Sequence, residues 1–198
     1  MKQASIFDTF HAKPLTLDQA RALYAERLII DFPEDELKPF SMLEAAWRRG
    51  AYACFGAISG GAILAYAFFV KLPGEGGALL DYFAVDEALR GRGIGGDFLR
   101  ALVAGPLKGL EGALLEVEDP DAAKDDAARS QQNRRLLFYL RNGMTDTAVT
   151  ARVQGVDFRL LAMPVGKRLP REGVRRLYER LYHAVLPPCV YEEWVVIP

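Results

Sequence analysis

The chain has 198 residues, enough to bury a sizeable core, and one domain with an appendage is the simplest division of that length. Its 25 lysines and arginines nearly cancel its 26 aspartates and glutamates, so no whole-chain field recommends nucleic acid or an anionic membrane as a partner. Cys54 and Cys189 stand far apart without metal-ligand spacing, which indicates neither a disulfide framework nor a zinc site and fits a reducing compartment. The opening "MKQASIFDTFHAKP" carries no apolar leader core, and the longest apolar run, Ala62 to Val70, is too short to span a bilayer. A cytoplasmic protein is expected.

In chain order, Thr16 and Asp18 precede Ala20, Leu23, Tyr24, Arg27 and Leu28, which is helical spacing with capping chemistry at its head. A second helix is expected from Leu37 to Arg49, closed by Gly50. "AYACFGAIS" and "AILAYAFFVKL" read as strands joined by a tight turn at Gly60 and Gly61, hence an antiparallel hairpin. After "PGEGG", "ALLDYFAV" is a third strand, followed by a glycine loop and a helix over Ile94 to Lys108. "GALLEVED" is the next strand. The acidic "PDAAKDDAARSQQ" reads as a loop or a frayed turn, ahead of a helix from Asn133 to Asn142 stopped by Gly143. Strands near Thr147 to Val153 and Val156 to Ala162 turn at Gly155. Val174, Leu177, Tyr178, Leu181, Tyr182 and Val185 then form the apolar stripe of an amphipathic C-terminal helix.

The glycine loop, "LRGRGIGGDFLRAL", has two spellings. Gly91, Gly93 and Gly96 fit the G-x-G-x-x-G of a dinucleotide fold, with Glu116 or Glu118 as the ribose acid. Arg90, Gly93 and Gly95 fit R-x-x-G-x-G, a coenzyme A spelling. Either way, glycines that admit backbone N–H groups to an anion at a helix N-terminus form a pyrophosphate cradle. Against the dinucleotide, "DEALR" separates Val85 from Gly91, and the preceding strands form a meander instead of a βαβ series.

A strand ending in "FAV", the short loop "DEAL", "RGRGIG" opening a helix, and the later "FYLRNGM" together resemble the acetyl-CoA signature of the GNAT superfamily of N-acetyltransferases. The likeness spans roughly residues 5 to 163. It implies an α/β (α+β) fold, a central mixed and mostly antiparallel sheet flanked by helices, as an N-acetyltransferase domain over 1–165. Residues 166–198 follow as a C-terminal helical extension and tail.

The resemblance further implies acetyl-CoA as co-substrate, with no metal, and an acetyl group passed to a primary amine by direct attack. Phe83, Ala84 and Val85 would meet the pantetheine arm. Arg90, Gly91, Arg92, Gly93, Ile94, Gly95 and Gly96 would hold the pyrophosphate. Tyr139 aligns with the tyrosine that protonates the departing thiolate, and Glu116 with the strand glutamate that serves some members as base, Glu118 being its understudy. Both carboxylates are equally well read as solvated strand-edge groups. The sequence departs from the family pattern at Gln132, where Asn is frequent, leaving Asn133 as the candidate cofactor contact. Met144 replaces a usual Phe, and the insert between Glu118 and Ser130 is long.

Asp31, Glu34, Asp35 and Glu36 could draw a cationic acceptor, although a solvated loop is the simpler reading. Lys167, Arg168, Arg171, Arg175, Arg176 and Arg180 read as the solvated face of a packed helix. His11 and His183 lack the partners of a metal site. The expected partner is a small-molecule or peptide amine, with no nucleic acid and no membrane, and docking of the tail across a homodimer is left open. The alternative function is a non-catalytic acyl-CoA sensor or interaction module.

Overall fold

The structure, a computed structural model, describes residues 11–72, 74 and 76–198, with Asp35 described by its backbone alone. The N-terminal reading on residues 1–10, and Pro73 and Glu75 of the "PGEGG" loop, lie outside the described residues.

A short strand, β1 (Ala12–Pro14), leads into α1. Thr16 caps that helix as expected: its side chain accepts from the Gln19 N–H, and the Gln19 side chain bonds back to the Thr16 N–H. Helix α1 runs through Leu17–Leu23, a π-helical stretch Tyr24–Leu28 and a last turn Ile29–Asp31. The next helix, α2, is Phe40–Arg48, shorter than the Leu37–Arg49 expected. Pro39 stands as its N-cap, and a proline biases the residue before it away from helix, so Leu37 and Lys38 stay outside.

Strands β2 (Tyr52–Ser59), β3 (Ala62–Lys71) and β4 (Gly77–Val85) form the expected meander, turning at Gly60 and Gly61 with φ of 56° and 82°. Helix α3 (Ile94–Ala104) ends at Gly105, before the expected Lys108. After β5 (Gly112–Glu118), helix α4 spans Asp126–Arg141, so much of the acidic stretch read as a loop is helix. Asp125 caps it by accepting from the Ala128 N–H at 2.7 Å. The periodicity did not reveal this half because it is solvated; Tyr139 is the one buried residue of α4. Strands β6 (Thr145–Val153) and β7 (Val156–Ala162), helices α5 (Arg171–Val185) and α6 (Pro188–Trp194) and strand β8 (Val195–Val196) complete the chain.

The eight strands form one sheet in the order β1-β2-β3-β4-β5-β7-β6-β8, antiparallel throughout except for β4 beside β5. Both faces are covered. Along β3, Tyr66, Phe68 and Val70 join the core under α1, α2 and α5, while Ala65, Ala67 and Phe69 join the core under α3 and α4. The second face is built largely of small residues, Ala57, Ala65, Ala67, Ala78 and Ala113, which lets Phe98, Leu99 and Leu102 of α3 lie close to the sheet.

The C-terminal helix buries the full predicted stripe, Val174, Leu177, Tyr178, Leu181, Tyr182 and Val185, in the same core as α1 and α2. Its approach depends on small residues where the two parallel strands begin. A Cβ on Gly77 would meet Leu177 Cδ1 at 2.6 Å, and one on Gly112 would meet Leu177 Cδ2 at 3.1 Å.

Candidate active site

Strands β4 and β5 pair from Gly77 with Gly112 to Leu80 with Leu115, and there the ladder stops. Beyond that point β4 continues on β3 and β5 continues on β7, so the sheet splits between Asp81–Val85 and Glu116–Glu118. The split opens a cleft of about 770 Å³. At one end it is lined by the glycine loop, the start of α3 and Phe138, Tyr139 and Asn142; at the other by Asp31, Phe32, Lys38, Asp81, Tyr82, Glu116 and Tyr182.

The first end is made mostly of backbone. Gly91 and Gly93 sit at φ of 77° and 85°, and Gly93 is the N-cap of α3. The first helical bond runs from the Asp97 N–H to the Gly93 carbonyl at 3.1 Å, which leaves the amides of Ile94, Gly95 and Gly96 without a helical acceptor. Those donors and the helix dipole favour an anion. Gly95 and Gly96 also serve packing: a Cβ on Gly95 would meet Phe138 Cζ at 3.1 Å and Val85 Cγ2 at 3.2 Å, and one on Gly96 would meet Asn142 Oδ1 at 2.5 Å.

Of the residues expected at the cofactor, Phe83, Ala84, Val85, Arg90, Gly91, Gly93, Ile94, Gly95 and Gly96 line the cleft. Arg92 and Asn133 are exposed and do not; Asn142, at the end of α4, does. Sequence reasoning settled on Asn133, one residue after the Gln132 that stands at the family position, and did not consider Asn142 three residues after Tyr139. Arg90 is partly committed elsewhere. Its guanidinium donates to the Val85 carbonyl at 3.1 Å and to Asp31 Oδ1 at 2.8 Å, tying the loop to the end of α1. Asp31 also accepts from the Tyr66 hydroxyl at 2.9 Å, so it is not the free acidic lure for a cation that the sequence suggested.

Tyr139 is buried, with its ring edge-on to Phe138 and Phe83 at 5.2 and 6.4 Å. The residue lines the cleft. Burial pushes its pKa up to about 12, so the phenol stays protonated at neutral pH.

The carboxylates two residues apart on β5 part company. Glu118 accepts from Arg135 and, at 3.1 Å, from Gln132 Nε2, both on α4. Glu116 Oε1 accepts from the hydroxyls of Tyr178 and Tyr182 on α5, the latter at 2.7 Å. Burial raises the Glu116 pKa, while the Lys38 ammonium and the two hydroxyls oppose that rise.

Next to Glu116 lies an ion pair that sequence reasoning missed. Lys38 Nζ donates to Asp81 Oδ1 at 2.7 Å, with the two side chains 6 % and 1 % exposed. Asp81 is the bulged residue of β4, since Phe68 faces Tyr82 and Phe69 faces Leu80, and its other oxygen accepts from Tyr52. The Lys38 ammonium also lies 5.5 and 5.4 Å from the ring centres of Tyr82 and Tyr182. Burial alone would depress the Lys38 pKa; Asp81, Tyr82 and Glu116 outweigh it and raise the value, so the lysine is a cation. An aspartate inside the apolar run "ALLDYFAV" was the signal available, because a charge there demands a partner.

Among the described residues no group of His, Cys, Asp and Glu is placed to hold a metal ion, and no helix is long and apolar enough to cross a membrane. The sheet, antiparallel but for one pair, also lacks the parallel βαβ halves of a dinucleotide fold. A split parallel pair with a helix N-terminus at its mouth does fit a phosphate-bearing thioester: amides for the diphosphate, open strand edge for an extended arm, a protonated phenol beside it.

Comparison with known proteins agrees. The model of the acetyltransferase (GNAT) family matches residues 17–129. A putative GNAT-family acetyltransferase from Bacteroides thetaiotaomicron superposes with a TM-score of 0.65 at 21% identity, covering 86% of this chain and 94% of that one. The ribosomal-protein-S18-alanine N-acetyltransferase of Escherichia coli gives 0.57 at 20% identity, over 81% of this chain and 97% of the other. A Bacillus subtilis acetyltransferase in complex with CoA gives 0.52 at 16%, over 78% and 98%. At these identities the structural likeness is one of fold. No curated protein matches the chain. Since the family model covers more than half of the residues and the fold neighbours share its architecture, the chain belongs to the GNAT acetyltransferase family.

Proposed function

We propose that the protein transfers an acetyl group from acetyl-CoA to the primary amine of a small molecule or peptide. The observation that carries this reading is the meeting, in one cleft, of the free α3 amides, the protonated Tyr139 phenol and the Glu116 carboxylate. The coenzyme A in the Bacillus subtilis structure and the N-acetyltransferase activity in the name of the Escherichia coli relative support it.

Bound acetyl-CoA supplies the electrophilic thioester. The amides from Gly91 to Gly96 hold the diphosphate, with Arg90 and Arg92 adding screened positive charge, and the β4 edge at Phe83, Ala84 and Val85 holds the arm. An alkylamine arrives mostly as ammonium, its reference pKa being about 10.4, so a base must first remove a proton. Glu116 takes that proton. The freed nitrogen bonds the acyl carbon, the carbon–sulfur bond breaks as Tyr139 gives its proton to the leaving sulfur, and the nitrogen sheds its second proton, which restores the Tyr139 phenol. Glu118, held by Arg135 and Gln132, is the weaker candidate for base. Asn142 takes the place sought for Asn133. Residues 166–198 act as an extension of the 1–165 transferase domain, and the two free cysteines are consistent with a cytoplasmic protein.

The test is calorimetric titration with acetyl-CoA and NAD, then thiol detection over a panel of alkylamines, free-N-terminus peptides and aminoglycosides. Acetyl-CoA binding with thiol release is expected. Binding without release from any amine would favour the non-catalytic sensor, and binding of NAD alone would contradict the reading.

A further inference from the structure

Two phenols converge on one carboxylate oxygen. Tyr178 and Tyr182 stand one helical turn apart on the buried face of α5, fully buried, their ring centres 4.8 Å apart. Both donate to Oε1 of Glu116, and Oε2 accepts from no side chain among the described residues. A stripe serving packing alone needs no hydroxyl, because a buried hydroxyl is costly unless bonded. Here both are bonded, and to a residue that lines the cleft. The helix that carries them lies outside residues 17–129, the span matched by the family model.

We infer that Tyr178 and Tyr182 are positioning residues for the transfer: by fixing Oε1 of Glu116 they leave Oε2 to take the acceptor's proton, and the C-terminal helix thereby completes the reaction site. The inference rests on the reading of Glu116 as base. The other titratable and charged groups around Glu116 are Lys38 from the segment before α2, Asp81 and Tyr82 of β4, and Tyr52 of β2 through its bond to Asp81. Glu118, farther along β5, is engaged by α4. Hydroxyls that donate to the anion favour it, so they act against the rise that burial imposes on Glu116. Without one of them the carboxyl binds its proton more tightly.

The test compares wild type with Tyr178→Phe, Tyr182→Phe and the double variant by carbon-13 NMR of the glutamate-labelled chain, the Glu116 carboxyl signal being assigned by its loss in Glu116→Gln. The titration midpoint is expected to move to higher pH, by about one unit in each single variant and further in the double. With the best amine of the panel above, kcat should fall roughly 10- to 100-fold, the acidic limb of the pH–rate profile should move up with the midpoint, and the KM for acetyl-CoA should hold. A helix that only stabilises the fold would lower the melting temperature without moving either midpoint. That result, or unchanged kcat beside a moved midpoint, overturns the inference. The NMR arm needs no acceptor, so a moved midpoint with no thiol release from any amine overturns the transfer reading and not the bonding. Should the variants fail to fold, the wild type decides: two downfield tyrosine hydroxyl protons that shift with the Glu116 midpoint support the inference, and their absence overturns it.

Discussion

The two ends of the cleft are built from different material. At the α3 end the working groups are main-chain amides exposed by glycines, and the local sequence from Arg90 to Gly96 suffices to make them. At the β5 end they are side chains: Lys38, Asp81, Glu116, Tyr178 and Tyr182, drawn from three elements and the segment before α2, and mostly buried. The first end can hold any ligand with a diphosphate, since amides read charge and little else. The second carries the Asp81 and Glu116 carboxylates and the Lys38 ammonium among aromatic rings, and under the proposed function it is where proton transfer and acceptor choice reside. The contrast teaches that binding and chemistry can be damaged separately in this molecule.

The largest expected effect lies at Tyr139, the side chain at the first end to which the proposal gives a chemical role. Tyr139→Phe should lower kcat by roughly 10²- to 10⁴-fold with acetyl-CoA affinity retained, as read by thiol release and calorimetry. Lost affinity together with lost rate would place the phenol in binding and blur the division. Next, Leu181→Ala, which truncates a fully buried side chain of α5, should cost about 2–5 kcal/mol in denaturant unfolding. The acetyl-CoA dissociation constant of the folded fraction should stay put, because α5 touches only the second end.

A smaller effect is expected from Gly95→Ala, whose new methyl must push Phe138 and Val85 apart. It should weaken acetyl-CoA roughly tenfold, about the loss of one charge-assisted hydrogen bond, with kcat at saturation little changed. The smallest concerns pH. Glu116 binds its proton more tightly folded than unfolded, so wild-type stability from this group is present at low pH and declines as pH rises through the folded pKa. Glutamine does not titrate. The melting temperature of Glu116→Gln relative to wild type should therefore climb with pH across that window, and a flat difference would show that the carboxyl is not raised.

Legibility in the sequence followed the same division. The meander, the glycine loop and the α5 stripe could be read from local patterns, since turns, caps and apolar periodicity are properties of neighbouring residues, while Tyr139 was named only through the family resemblance of "FYLRNGM". The first half of α4 could not, because a solvated helix shows no apolar period. Pro39 was on the page, yet its effect on the start of α2 was passed over. The Lys38–Asp81 pair and the bonding of Glu116 depend on contacts between residues more than 40 positions apart, which no window reveals. Asn133 was named from the family pattern, whereas the cleft is lined by Asn142, which lies against Gly96, a contact between residues far apart in the chain.

The most direct test is a crystal structure with acetyl-CoA. Density for the diphosphate on the amides of Ile94, Gly95 and Gly96, with the thioester between Tyr139 and Glu116, is the result expected. A thioester bound elsewhere, or a diphosphate seated there with its acyl group turned away from both side chains, would contradict the account.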